Sequence, residues 1–145
     1  MYFVDREKIE STLLYLEKQI HLFQGQQDWT TPIEQTALER ICQMMIESVL
    51  DVGNSMIDGF IMRDPGSYDD IIDILIDEKV VAESTGERLK RLVQHRKVLV
   101  QDYLEISHHK LKETFSENLH ELEIFSRNVR EYLANELGPV SAFKN

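Results

Sequence analysis

The sequence predicts an all-α protein, an antiparallel bundle of four long helices and one short helix. Two observations lead to this fold class. Only three prolines and six glycines occur in 145 residues, and no segment alternates apolar and polar residues for long enough to indicate a strand. Apolar residues recur instead at every third or fourth position, the spacing at which side chains share one face of a helix.

Two long helices open the chain. Apolar residues spaced by three and four positions predict a first helix that ends near Gly25. These residues are Ile9, Leu13, Leu16, Ile20 and Phe23. The second helix begins with a capping box, because Thr31 suits the N-cap, Pro32 the first helical position and Glu34 the return bond. Apolar residues cover two of its sides as far as the "RDPGS" break, so we expect it at the centre of the bundle.

A short helix and a long one follow. Ser67 is the predicted N-cap of a short third helix, "YDDIIDILIDEKV". Ser84 and Glu87 have the spacing of a second capping box, which predicts a long fourth helix from this point to Tyr103. On that helix Arg96 shares an apolar face with Tyr103, so its guanidinium must be paired, must snorkel, or must face a cleft or a partner chain.

The last helix begins after Ser107, its predicted N-cap, and ends where Gly138 and Pro139 stop it. The residues beyond this stop are expected to fray. No repeat, low-complexity tract or linker interrupts the sequence. Residues 1–145 are therefore predicted to form a single domain, long enough to bury a core without metals or disulfides.

Composition argues against several classes of protein. Cys42 is the only cysteine and lies beside the apolar stripe of the second helix, so we interpret it as a buried thiol in a reducing compartment. The amino terminus lacks the pattern of a signal peptide, and no apolar stretch approaches the roughly 18 residues that span a bilayer. The expected location is the cytoplasm, with no membrane partner.

The net charge of −10 disfavours nucleic acid and anionic membranes as partners on average. One segment differs, because residues 87–97 hold five cationic side chains and a single carboxylate. The cationic residues are Arg88, Lys90, Arg91, Arg96 and Lys97. A solvated face, paired with acidic neighbours, is the simpler interpretation of such a run.

No metal or cofactor site is predicted. His108 and His109 are adjacent, so on a helix their side chains diverge by about 100° and do not readily share a metal. A glycine-rich loop that would bind nucleotide phosphates is absent from the sequence.

A polar row runs along the second helix, which is otherwise largely apolar. Its members are Glu47, Asp51, Asn54 and Asp58, at spacings of four, three and four. We favour the exposed edge of the helix as the interpretation of this row. The alternative is a set of cleft carboxylates, with Glu47 and Asp51 orienting Arg96 or a ligand.

Three segments resemble the HepT-like proteins of the HEPN superfamily. They are "ERICQMMIESVLDVGNSMI", "DPGSYDDIIDILIDEKVV" and an arginine motif that ends in "VQDYLEI". By pattern the resemblance extends from about Thr36 to Tyr132, and the order of elements agrees with the helical bundle of that family. It therefore implies a HEPN-type fold.

The resemblance also implies an activity. HepT-like proteins carry an Arg-x-x-x-x-His-x-Tyr motif, and active members are metal-independent endoribonuclease toxins that work as dimers. In the chemistry proposed for the family, the arginine holds the scissile phosphate and the histidine assists attack by the ribose 2′-hydroxyl. The usual antitoxin is a small nucleotidyltransferase, which can attach AMP to the motif tyrosine and silence the toxin.

In this sequence Arg96 occupies the arginine position and Tyr103 the tyrosine position. Gln101 stands where the family has its histidine, and Lys97 stands where relatives commonly have asparagine. Lys97 can hold a phosphate as a point charge. Gln101 has no group that titrates near neutrality, so it cannot act as a general base.

The resemblance thus implies an RNA-binding site of the endoribonuclease type, centred on Arg96 and impaired by Gln101, in a homodimer. Neither His95 nor His108 is expected to replace the missing histidine. Tyr103 would be the residue that a cognate nucleotidyltransferase modifies. The alternative function is a non-catalytic helical module that dimerises and binds a nucleotidyltransferase or another protein.

Overall fold

The computed structural model describes residues 2–138, which form six α-helices, one 3₁₀ turn and no strand. The helices are α1 Arg6–Gly25, α2 Pro32–Gly59, α3 Tyr68–Asp77, α4 Glu83–Val93, α5 Arg96–Val100 and α6 His108–Leu137. The 3₁₀ turn, Tyr103–Glu105, lies between α5 and α6. The predicted all-α helical bundle is confirmed. Pro139 and the tail after it lie outside the described residues.

Side-chain caps begin three of the helices where the sequence predicts them. Thr31 accepts a hydrogen bond from the Glu34 N–H at 3.2 Å, and the Glu34 carboxylate accepts one from the Thr31 N–H at 2.9 Å. Ser67 caps α3 and Ser107 caps α6 in the same way, with bonds of 3.0 and 3.3 Å. Each cap satisfies backbone donors that have no partner within the helix, which fixes the residue at which the helix begins.

The predicted start of α4 is wrong. This helix begins at Glu83, and its N-cap, Ala82, makes no side-chain hydrogen bond. Ser84 therefore lies inside the first turn, where its hydroxyl cannot act as the N-cap.

The predicted fourth helix is also not continuous. It ends at Val93 and restarts as the five-residue α5 at Arg96, with a turn at Gln94 and His95 between them. The His95 N–H bonds to the Leu92 carbonyl, three residues back, which tightens the end of α4. Arg96 is the first residue of the new helix.

Helix α2 is the central element, as its wide apolar surface predicts. It packs against α1, α3, α5 and α6. Gly53 allows α3 to approach closely, because a Cβ atom at this position would lie only 2.5 Å from the Ile71 side chain. Helices α3 and α5 therefore both lie against α2, and this arrangement brings residues from three helices together around Arg96.

Candidate functional site

An ion pair between α5 and α2 forms the centre of the candidate site. Arg96 Nε donates a hydrogen bond to Glu47 Oε1 at 2.7 Å, although the two residues are 49 positions apart. Their side chains are 22% and 23% exposed, so the pair is largely removed from water. At this burial each charge needs the other, because an unpaired ion would pay its desolvation cost without compensation.

The guanidinium carbon of the same arginine lies over the aromatic ring of Tyr68. Arg96 Cζ is 4.4 Å from the ring centroid, which is within the range of a cation–π contact. Tyr68 is the first residue of α3, and the Ser67 cap beside it fixes where that helix begins. The tyrosine has no place in the sequence motif, and sequence reasoning did not predict it as a site residue.

The outer edge of the guanidinium remains available. Among residues 2–138, no group accepts a hydrogen bond from Nη1 or Nη2 of Arg96, and neither nitrogen is buried. The guanidinium fork can bind two oxygens of a phosphate or carboxylate at once. The arrangement is therefore suited to holding an oxyanion on the solvent side of Arg96.

The polar row of α2 divides into two parts. Glu47 contacts Arg96, whereas Asp51, Asn54 and Asp58 are exposed along the edge of the helix. Asp51 is nevertheless near the pair: burial raises the pKa of its carboxyl, and the Glu47 charge raises that pKa further. Lys8 and Arg96 act in the opposite direction. Asp51 therefore responds to the charge at the site without bonding to Arg96.

The other motif residues lie beyond the end of α5. Gln101 follows its last residue and is exposed, and its N–H bonds to the Lys97 carbonyl at 2.8 Å. Tyr103 belongs to the 3₁₀ turn and is 63% exposed, so its predicted position on an apolar helix face is wrong. No hydrogen bond within residues 2–138 joins either side chain to Arg96. Lys97 is exposed and lies 3.8 Å from Asp102.

The nearest histidines are engaged elsewhere. His95 packs edge-on against Phe115 of α6, with ring centroids 6.0 Å apart. Burial lowers the pKa of His95, and the Lys110 charge lowers it further. His108 Nε2 lies 2.7 Å from the Glu39 carboxylate, two helical turns along α2 from Glu47. Within residues 2–138 neither ring forms a hydrogen bond with the guanidinium of Arg96.

Neither a metal-binding cluster nor a membrane-spanning helix occurs within residues 2–138. No cluster of three or more His, Cys, Asp or Glu side chains within residues 2–138 has the arrangement to hold a metal ion. Over those residues, no helix has the length and apolar character needed to cross a membrane. Cys42 is fully buried, and burial raises the pKa of its thiol.

Solved structures of two kinds share this fold. YutE of Bacillus subtilis, described with its structure as a cytosolic protein of unknown function, matches with a TM-score of 0.95 and 55% identity. That match covers 98% of this chain and 99% of YutE. A tri-AMPylated HEPN toxin of Shewanella oneidensis, in complex with an MNT antitoxin, matches with a TM-score of 0.76 and 20% identity. It covers 85% of this chain and 96% of that toxin, and at this identity it shows the fold alone.

Sequence comparison identifies the family. The YutE protein of Bacillus subtilis (strain 168), whose name describes it as a candidate RNase, is 56% identical over 144 residues. This alignment covers 99% of this chain and all of the relative. The profile of the family described as "Ribonuclease HepT-like" matches residues 9–129, which include every residue of the candidate site. The chain therefore belongs to the HepT-like ribonuclease family.

Proposed function

We propose that the protein binds RNA at an endoribonuclease-type site centred on Arg96, and that Gln101 impairs cleavage at this site. The observation that carries the proposal is the state of the Arg96 guanidinium. It is paired through Nε with Glu47, lies over the Tyr68 ring, and has no acceptor for Nη1 or Nη2 among residues 2–138. A cation that is fixed but not fully satisfied is suited to the scissile phosphate of RNA.

Lys97, the next residue along α5, adds a second positive charge. Its side chain is 73% exposed, and its contact with Asp102 at 3.8 Å is too long and too exposed to neutralise it. In the proposed function Lys97 attracts the phosphate backbone as a mobile point charge, whereas Arg96 fixes the position of one phosphate.

Gln101 limits the chemistry that can follow binding. Attack by a ribose 2′-hydroxyl needs a group that removes its proton, and a carboxamide does not do so near neutral pH. Loss of a general base typically lowers the rate by a factor of about 10²–10⁴. We therefore propose a site that retains affinity for RNA and has lost most of its cleavage rate.

A second copy of the chain and a nucleotidyltransferase are the proposed partners. Val100, Tyr103 and Leu104 are 37%, 63% and 90% exposed in the short segment beside the site, and an apolar surface of this kind suits an interface between copies. The exposed Tyr103 hydroxyl can also be reached by a modifying enzyme. The complex of a HEPN toxin with an MNT antitoxin supports this scheme by analogy. The cytoplasm is the proposed location, and the description of YutE as a cytosolic protein supports it.

The proposal is tested by the affinity of the purified protein for a labelled single-stranded RNA at several salt concentrations. We expect Arg96→Ala to weaken binding about tenfold or more. The slope of log K against log salt concentration should become less steep by about 0.7, the value for one phosphate contact with a single strand. The matched control is Arg91→Ala, which removes an exposed arginine of α4 outside the site and should bind RNA like the wild type. The mass of each variant in solution shows whether the assembly is unchanged.

The alternative function, a non-catalytic interaction module, gives a different result. In that case Arg96→Ala leaves RNA affinity unchanged, and the protein co-purifies with a nucleotidyltransferase when both are expressed together. Mass spectrometry would then locate any AMP adduct on Tyr103. An unchanged RNA affinity would contradict the proposed RNA site whether or not an adduct is found.

A further inference from the structure

We propose that Tyr68 is a positioning residue of the Arg96 site: its ring fixes the plane of the guanidinium, so that the Nη edge faces the position of the bound phosphate. The inference rests on the proposed function for the identity of the anion. The contact on which it depends, Arg96 Cζ at 4.4 Å from the Tyr68 ring centroid, does not depend on that function.

One hydrogen bond cannot orient a guanidinium by itself. The bond from Arg96 Nε to Glu47 Oε1 fixes one point in the plane of the group, but the plane can still turn about the N–H···O axis. A ring whose centroid lies 4.4 Å from Cζ restricts this rotation, because the turning group would collide with it. Glu47 and Tyr68 together therefore determine both the position and the plane of Arg96, and binding of a phosphate then orders less of the side chain.

Tyr68 is well placed to serve as a fixed surface. It begins α3, whose N-terminus is set by the Ser67 cap and whose apolar face is buried against the bundle. The ring itself is about half exposed and contacts the guanidinium of Arg96. Its hydroxyl forms no hydrogen bond within residues 2–138, so the aromatic face is the part that contributes to the arrangement.

Because the Tyr68 hydroxyl has no role in this arrangement, a substitution that removes only the hydroxyl is a conservative control. Tyr68→Phe keeps the ring and should bind the labelled RNA with wild-type affinity, whereas Tyr68→Leu removes the ring and should weaken binding about 3- to 10-fold. Combined with Arg96→Ala, the Tyr68→Leu substitution should have no further effect, because the ring acts through the guanidinium. Tyr15→Leu, which removes a similarly exposed tyrosine from α1, is the matched control.

A second measurement tests the geometry without RNA. In an NMR spectrum of the side-chain Nε–Hε groups, Arg96 should give a slowly exchanging signal, because its proton is bonded to Glu47 and shielded by the Tyr68 ring. Tyr68→Leu should shift this signal and speed its exchange, and Tyr68→Phe should leave both unchanged. Tyr15→Leu should leave them unchanged as well.

The two measurements separate the inference from the proposed function. If Arg96→Ala does not change RNA affinity, the proposed function is wrong, and the NMR signal still decides whether Tyr68 positions Arg96. If Arg96→Ala weakens binding but Tyr68→Leu does not, or if Tyr68→Leu has the same effect when Arg96 is absent, the positioning role is overturned. An unchanged Arg96 signal in Tyr68→Leu overturns it as well.

Discussion

Arg96 lies where the three helices of the candidate site, α2, α3 and α5, meet. It combines a short bond to a largely buried carboxylate with an unoccupied outer edge, and these two features have different consequences. The bond to Glu47 makes the cation tolerable at this burial, because removing one partner of such a pair leaves the other unsatisfied, at a cost of about 1–3 kcal/mol or more. The free edge is what makes the pair a candidate site, since a purely structural ion pair needs no open donors.

His95 provides a prediction at the scale of one residue. Burial against Phe115 holds its pKa below the usual value of about 6.5, and the Lys110 charge acts in the same direction. The unfolded chain therefore binds a proton at a higher pH than the folded chain does, and stability must fall as the pH decreases below about 6.5. We expect His95→Gln to reduce this fall when the free energy of unfolding is measured between pH 7.5 and 5.5.

His109 is the control for this experiment. Its side chain is 88% exposed, so His109→Gln should show the same dependence on pH as the wild type. The slope with pH is the informative quantity, because His95→Gln also changes packing at every pH. Equal slopes for His95→Gln and the wild type would show that burial of this imidazole does not contribute to acid sensitivity.

Two helices end in the same motif, and neither uses glycine. Ile61 follows α2 with φ of 56°, and Lys79 follows α3 with φ of 60°. After α2, the Met62 N–H bonds back to the Ile57 carbonyl at 2.9 Å, the pattern of a Schellman motif. The left-handed conformation costs an L-residue roughly 1–2 kcal/mol, and a β-branched side chain is among the least suited to it. Both helix ends therefore store strain.

Ile61→Gly should stabilise the protein. Ile61 is 68% exposed, so the substitution loses little buried surface. It relieves the strain but increases the entropy of the unfolded chain, and the net gain should be about 1 kcal/mol. Denaturant unfolding measures this difference. Lys79→Gly at the end of α3 should give a smaller gain, because lysine is not β-branched, and a loss of stability in Ile61→Gly would contradict the interpretation.

At the scale of elements, the sequence predicts most boundaries because local chemistry determines them. The end of α1 near Gly25, the caps at Thr31, Ser67 and Ser107, and the stop at Gly138 all correspond to short-range signals. The break between α4 and α5 has no such signal, because neither glycine nor proline occurs at Gln94 or His95.

Tertiary contacts differ on the two sides of that break. His95 packs on α6, whereas the next residue, Arg96, pairs with α2. The apolar pattern therefore indicated burial correctly for Leu89, Leu92 and Val93, but not for Tyr103, and it did not show the break.

At the scale of the whole molecule, the site joins residues that are distant in sequence. The motif arginine could be predicted to lie on packed surface, and the polar row on α2 suggested a carboxylate partner, although an exposed edge was the favoured interpretation of that row. Which carboxylate pairs with Arg96 depends on how α5 lies across α2, and this follows from the break that the sequence does not show. The contact of Tyr68 with Arg96 could not be predicted from the sequence. Tyr68 follows an N-cap serine, and nothing in the neighbouring residues indicates that a cation lies over its ring.

The net charge of −10 bears on the proposed RNA site. A polyanion such as RNA is repelled by most of this molecule, so the proposed binding depends on the local geometry around Arg96 and not on a general basic surface. Loss of one arginine should therefore lower the affinity for RNA more in this protein than in a protein whose overall charge attracts nucleic acid.

The central claim is that an Arg96-centred ribonuclease site persists in this chain and lacks only its base. The most direct measurement is the rate of cleavage of a labelled RNA by the wild type, Gln101→His and the double variant Gln101→His with Arg96→Ala. We predict slow or no cleavage by the wild type, a gain of about 10²–10⁴ in Gln101→His, and loss of this gain in the double variant. Cleavage by Gln101→His that persists without Arg96, or no gain at all from the histidine, would contradict the claim.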